Sequence, residues 1–281
     1  MRFATVCSGI GAPEVAWSAL GWESAWCAEI DPFCSELLRQ RFPQTPNLGD
    51  ITAEDFVERA RKHGPVDVIC GGTPFQGFCQ GGRRAGLADD RSRLALRFLE
   101  LAEALRPDWL VWENVIGCLS TNKGRDFSSY ISALVECGYC LAWRVLDARH
   151  FGCAFRRPRV FLVGHHDWRR AAAVLFEQPG DGWNPTPCSE EEPIDAGPVL
   201  TRRGAMAFDD RTPCVLVGDR VRRTTPTEWE RGLGFPDDWT AIQYRGRHAA
   251  DAHRYKAIGN SMAVPVLRWL GERLGGGQQE E

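Results

Sequence analysis

The run Cys7-Ser8-Gly9-Ile10-Gly11 follows an apolar stretch, Phe3-Ala-Thr-Val, and precedes a helical pattern that opens near Pro13. Glycines at 9 and 11 let backbone N–H groups approach a ligand and aim them, with the N-terminus of the coming helix, at one point. A second apolar run ends at Glu29-Ile30-Asp31, about 20 residues further on, where an acid is placed to take ribose hydroxyls. Asp50-Ile51, after Gly49, is placed to meet an adenine edge. A glycine-rich helix cap without a ligand would look the same at the first of these places; the second and third sharpen the choice. The loop has neither the full GxGxxG nor the lysine of a phosphate loop. A nucleoside without phosphates fits better, and S-adenosylmethionine is the commonest cofactor of that kind.

Other reactive residue types are spread along the chain. Its 11 cysteines are an odd number with no disulfide logic, and they read as reduced thiols. The CxxC at Cys137-Gly-Tyr-Cys140 has no second CxxC or HxxxH at finger spacing, so no metal site is expected. Arginines cluster at 83, 84, 91 and 93, at 156, 157 and 159, and at 202, 203, 222, 223, 245, 247 and 254. Arginine suits bidentate phosphate and guanine contacts, while a solvated surface laced with salt bridges would account for many of these residues equally well.

The elements that must carry these groups follow from periodicity. Short apolar runs rich in Val, Ile, Phe, Trp and Cys alternate with helical patterns over 13–20, 32–41, 91–105 and 125–137, which predicts a doubly wound, mostly parallel α/β sheet. From about Asp167 the alternation fails, and 177–221 is rich in Pro, Gly and charge. A disordered linker is one reading of that stretch; the runs PCVLV, Trp183 and Phe208 favour a small, loop-rich lobe. Regular signals resume at Thr225-Pro-Thr-Glu, a capped helix start, and a last helix is expected over 262–274. Residues 1–166 with 222–281 are thus expected to form a cofactor domain, and 167–221 a separate lobe. The 281 residues are 43% hydrophobic with a net charge of −3, which excludes a disordered chain or a coiled coil. Without a signal-like start or a long apolar run, a cytoplasmic protein is expected, in a bacterial cell or a phage-infected host.

Eight pieces, taken in order, are similar to the DNA cytosine-5 methyltransferases. They are Ser8-Gly-Ile-Gly11, Glu29-Ile-Asp31, Gly49-Asp-Ile51, Gly71-Gly-Thr-Pro-Phe-Gln-Gly77, Glu113-Asn-Val115, Arg156-Arg-Pro-Arg159, Arg231-Gly-Leu-Gly-Phe-Pro236 and Gly259-Asn-Ser261. The chain most resembles the small phage or orphan bacterial members. The resemblance implies a class I, Rossmann-like S-adenosylmethionine-dependent fold with a small irregular target-recognition lobe, and a monomer that acts on double-stranded DNA without metal or membrane. It further implies that a cysteine thiolate adds to cytosine C6, that Glu113 holds the ring at N3, and that Arg157 and Arg159 contact the base carbonyl and a neighbouring phosphate of a flipped nucleotide. The cofactor would be held by Ser8, Gly9, Ile10, Gly11, Glu29, Ile30, Asp50, Ile51, Asn260 and Ser261. Gln76, Arg83, Arg84, Arg202 and Arg203 would meet DNA, with the loop after Gln76 hinged at Gly81-Gly82.

The family's nucleophile belongs in a Pro-Cys-Gln motif, and here the residues are Pro74-Phe75-Gln76. The arginine motif also departs, with Ala154-Phe155 where the family has Pro-Gln, and Trp229 with Gly232-Leu233 is a third departure. In one reading Phe75 and Phe155 fill the base pocket, so that fold, cofactor and DNA binding survive as an inactive, regulatory paralogue. In a second, another thiol substitutes: Cys79, Cys118 or Cys153. In a third, the change belongs to this copy of the gene. The first is preferred for the chemistry, and the chain is still expected to class with the methyltransferases.

Overall fold

The computed structural model describes residues 1–75, 90–176, 214–217 and 220–276. A six-stranded sheet organises them, built from β1 (Arg2–Val6), β2 (Glu23–Ala28), β3 (Val68–Gly71), β4 (Trp109–Val115), β5 (Cys140–Asp147) and β6 (Pro158–His165) in the order β2-β1-β3-β4-β6-β5. The first four run parallel to one another, and β6 runs antiparallel to both β4 and β5. The doubly wound sheet is as expected, with one reversed strand.

Each strand alternates its side chains between two apolar layers. Phe3, Val68, Trp109, Val111, Phe161 and Val163 face the layer of α1 (Ala12–Ser18), α6 (Trp168–Leu175) and α9 (Val264–Gly276). Ala4, Ile69, Leu110, Trp112, Val160 and Leu162 face the layer of α3 (Phe56–Arg61), α4 (Asp90–Leu105) and α5 (Arg125–Glu136). Helix α9 closes the fold against α1: the Trp17 indole N–H donates to the Leu267 carbonyl at 2.8 Å, and a Cβ on Gly271 would lie 2.6 Å from the same ring. The C-terminal helix therefore completes the large layer, as expected.

Local rules set the helix ends. Helix α2 (Pro32–Arg41) has Pro at its first position and Asp31 as N-cap, accepting from the N–H groups of Phe33 and Cys34. Helix α7 (Pro226–Gly232) begins with the capping box read at Thr225 and Glu228. The failure of regular structure expected from Asp167 does not hold at its start: α6 packs on β5 and β6, with Ala171, Val174 and Leu175 buried in the core. Arg273 of α9 donates to the carbonyls of Ala173, Val174 and Phe176, satisfying the free end of α6. The run PCVLV contributes β7 (Cys214–Val217), paired antiparallel with β8 (Arg220–Arg223). Helix α8 (Asp251–Asn260) leads into α9. Among the described residues no helix is long and apolar enough to cross a membrane.

Under the glycine loop, Glu14 of α1 is fully buried and accepts from the Thr5 hydroxyl at 2.5 Å, while its other carboxyl oxygen has no hydrogen-bond partner. Burial lifts this carboxyl to about 7, against the pull of the Thr5 hydrogen bond. Folding thus favours the protonated form: stability is fully present below the ordinary value of 4.5, falls as pH rises towards about 7, and is flat above. Glu14→Gln keeps the shape and removes the charge, so it is expected to abolish that slope. Thermal melts between pH ~5 and ~8 check this, and equal slopes in both proteins would place the titration elsewhere.

Candidate active site

Because β1 to β4 run parallel, the chain leaves all four at the same edge of the sheet, where a doubly wound fold keeps its ligand crevice. Reversal of β6 brings its N-terminal residues to that edge too, with Arg159 opposite Val115 and Phe161 opposite Glu113. The result is a cleft of about 510 Å³ with walls from the glycine loop, the ends of β2, β3 and β4, the start of β6 and helix α8. A second, narrow space of about 40 Å³ continues beneath the glycine loop, between Ser8, Gly9, Glu113, Asn260 and Ser261.

At one end of the cleft Gly9 holds a φ of 57° and has open space where a Cβ would be, so the loop presents bare backbone. The Glu29 carboxylate accepts from the Gly9 N–H at 2.7 Å and from the N–H groups of Ile30 and Asp31 at 2.8 and 2.7 Å. Ile30 is 67% exposed, an apolar side chain on the cleft wall with nothing packed over it. Ser8 is buried, its hydroxyl bonded to Thr5 and to the Ala28 backbone. Ile10 lies in the core instead, fully buried, and its carbonyl accepts from the Trp239 indole at 2.8 Å. Neither Ile10, Gly11, Asp50 nor Ile51 lines the cleft: Ile51 is buried in the core, and Asp50 is turned to the Thr52 hydroxyl and N–H at 2.8 Å each. Residues that sequence reasoning missed line it, among them Cys7, Thr73, His253 and Lys256. The spacing of His253, Lys256, Ala257 and Asn260 on α8 is that of one helix face and was the available signal.

At the other end stands Glu113, 9% exposed. Arg159 Nε lies 3.1 Å from its carboxylate. Burial raises the Glu113 carboxyl above its ordinary range, opposed by the charges of Arg159 and Arg157. Arg157 also lines the cleft and is tied to backbone as well. Its two terminal nitrogens donate to the carbonyls of Gly259 and Ser261 at 3.2 and 2.5 Å, while its buried Nε has no partner. A guanidinium this deeply buried must be satisfied by the nearest acceptors, and those are the backbone at the end of α8; burial lowers it to about 10. The loop after β3 is tied to β4 by Asn114, which donates to the Thr73 carbonyl at 2.8 Å, and by the Trp112 indole, which donates to the Thr73 hydroxyl at 3.0 Å.

Phe75 and Phe155 do not fill the base pocket, which corrects the reading built on them. Phe75 is 4% exposed and packs edge-on against Trp112 and Tyr130, with ring centroids 5.6 and 5.4 Å away. Pro74 lines the cleft and Phe75 turns from it, because a large ring gains more among buried aromatics than in a polar crevice. Phe155 sits against Trp229 and over Gly232, where a Cβ would fall 1.8 Å from the ring. Cys118 and Cys153 are also buried away from the cleft, and burial pushes their thiols up to about 12 and about 11. They are ordinary core thiols, not substitutes for the missing nucleophile. Gln76, Cys79, Gly81, Gly82, Arg83, Arg84, Arg202 and Arg203 lie outside the described residues. Among the described residues no group of three or more His, Cys, Asp or Glu side chains is placed to hold a metal ion.

The family model of the C-5 cytosine-specific DNA methylases matches residues 1–179 and 189–276. The chain belongs to this family. It is 30% identical to the Type II methyltransferase M2.BsuMI of Bacillus subtilis (strain 168), over 98% of this chain and 75% of that one. It is 27% identical, over 97% of its length, to a protein of Escherichia phage P1 named DNA N-6-adenine-methyltransferase, of which it spans 61%. The crystal structure of S. pombe Dnmt2 methyltransferase superposes with a TM-score of 0.74 at 17% identity, over 99% of each chain, a likeness of fold. Phe75→Ala is expected to cost about 3–5 kcal/mol in urea unfolding, the loss for a buried ring; a cost under ~1 kcal/mol would mean that the ring is not part of the core.

Proposed function

We propose that this chain is an S-adenosylmethionine-dependent DNA cytosine-5 methyltransferase that takes a cytosine turned out of duplex DNA. The observation that carries the reading is one cleft with a nucleoside-like wall at Gly9, Glu29 and Ile30 and, at its far end, the buried Glu113–Arg159 pair. Bare backbone at Gly9, a carboxylate with lone pairs to spare at Glu29 and the uncovered Ile30 side chain fit an adenosyl group. When bound, S-adenosylmethionine supplies an activated methyl group. Burial shifts the Glu113 carboxyl upward, which favours the protonated form that can donate to a ring nitrogen of cytosine. Arg159 orients that carboxyl and brings a positive charge to the carbonyl side of the ring. Asn114 and Trp112 fix Thr73 and so hold the floor of the base end.

The thiol that adds to C6 must come from a position other than 75. Cys79, four residues on in sequence, is our assignment for it. Target choice is assigned to the part that follows α6 in the lobe expected over 167–221, with Arg202 and Arg203 among its reading residues, and the enzyme to a monomer. A second reading, binding without transfer, rests on the absence of a cysteine at position 75.

A duplex carrying 5-fluorocytosine, offered with S-adenosylmethionine, separates the two. A working enzyme forms an adduct stable to denaturing electrophoresis, and Cys79→Ser is expected to abolish it. No adduct, with cofactor binding intact by titration calorimetry, selects the binding reading; an adduct that survives Cys79→Ser moves the nucleophile to another thiol.

A further inference from the structure

We infer that Asn47, which has no place in the reaction, is a positioning residue that holds the ribose-binding end of the cofactor cleft in shape; this rests on the adenosyl reading of that cleft. Residues 46–48 run parallel to the end of β2: the Cys27 N–H donates to the Pro46 carbonyl at 2.9 Å, and the Leu48 N–H donates to the Cys27 carbonyl at 2.8 Å. Leu48 is buried, so the alternation of an extended chain sends Asn47 the other way, to the exposed side. There its Oδ1 accepts from the Glu29 N–H at 3.0 Å and the Gly49 N–H at 2.9 Å, while its Nδ2 donates to the Glu29 carbonyl at 3.0 Å.

One amide therefore engages both backbone groups of Glu29, continuing the pairing just where β2 ends. At Ala28, the last residue of β2, the backbone is bonded to Ser8, its carbonyl accepting from the Ser8 N–H at 3.1 Å and its N–H donating to the Ser8 hydroxyl at 3.0 Å. Without Asn47 the Glu29 N–H loses its acceptor, while the Glu29 carbonyl keeps the Ser35 hydroxyl at 3.0 Å. The consequence passes on through the Glu29 carboxylate, which holds the N–H groups of Gly9, Ile30 and Asp31. The glycine loop, the Glu29 turn and the Gly49 turn are thus braced through one exposed side chain that does not itself line the cleft.

The brace acts on the direction of the Glu29 carboxylate, so its loss is felt by ligands that bond to that carboxylate. Titration calorimetry is carried out with S-adenosylhomocysteine and with its 2′,3′-dideoxy analogue, on the wild-type chain and on Asn47→Ala. The three lost hydrogen bonds are expected to weaken S-adenosylhomocysteine about tenfold. The dideoxy analogue is expected to bind both proteins alike. Equal losses for the two ligands, or no loss for either, would overturn the assignment. If Asn47→Ala does not fold, Asn47→Asp keeps the two accepting contacts and gives the same test, with a smaller loss confined to the hydroxyl-bearing ligand. Failure of the wild-type chain to bind either ligand would fall on the cofactor reading instead.

Discussion

One acid and two guanidinium groups share a nearly dry corner at the carboxyl edge of the sheet, and much of the cleft is arranged around their mutual dependence. Taking any one of these charges from water costs several kcal/mol, so none is stable there alone. Glu113 offsets the burial of Arg157 and Arg159, and they oppose the rise in its pKa. The corner requires the reversed direction of β6, since a parallel strand would carry Arg159 to the opposite edge. It also requires Gly72, where a Cβ would lie 3.1 Å from the Glu113 carboxylate. With two cations to one acid, the corner keeps an excess of positive charge, which suits a polar ring and the phosphate beside it.

The parts of the fold that were legible are those in which local pattern and tertiary role agree. Parallel strands covered on both faces read as short, unbroken apolar runs, and 32–41 was delimited by its own cap and its Pro at the first turn. Helix α6 escaped notice because its reasons are remote: a short segment with two arginines is held by Arg273, some hundred residues later, and by the face of β5. Within the site, Gly9 and Glu29 were legible from type and spacing, Ile30 and Glu113 only through the family resemblance, and the structure brings all four to one cleft. Asp50 and Ile51 were named from the same kind of spacing, yet only the folded chain reveals that Ile51 packs inward and that Asp50 closes its own turn.

Phe75 marks the limit of reading by residue type. The sequence identifies an aromatic ring at the position of a nucleophile, and from that alone a blocked pocket is a reasonable expectation. Direction is decided by neighbours that are distant in sequence: Trp112 on β4 and Tyr130 on α5 form an aromatic shelf behind the loop, and a ring at 75 completes it. Pro74 lines the cleft and Phe75 does not, so the residue type at 75 does not by itself decide the shape of the cleft among the described residues.

Arg157 joins the two ends of the cleft. Its charge faces Glu113, while its terminal nitrogens hold the carbonyls of Gly259 and Ser261 on either side of Asn260, a residue of the cofactor wall. The same guanidinium therefore stabilises the acid at the base end and sets the backbone at the cofactor end. Since its burial is tolerable only while both sets of partners are in place, a displacement at either end weakens the hold on the other. Coupling of this kind needs no moving domain: a single buried cation with its acceptors divided between two walls is sufficient to make the occupancy of one wall felt at the other.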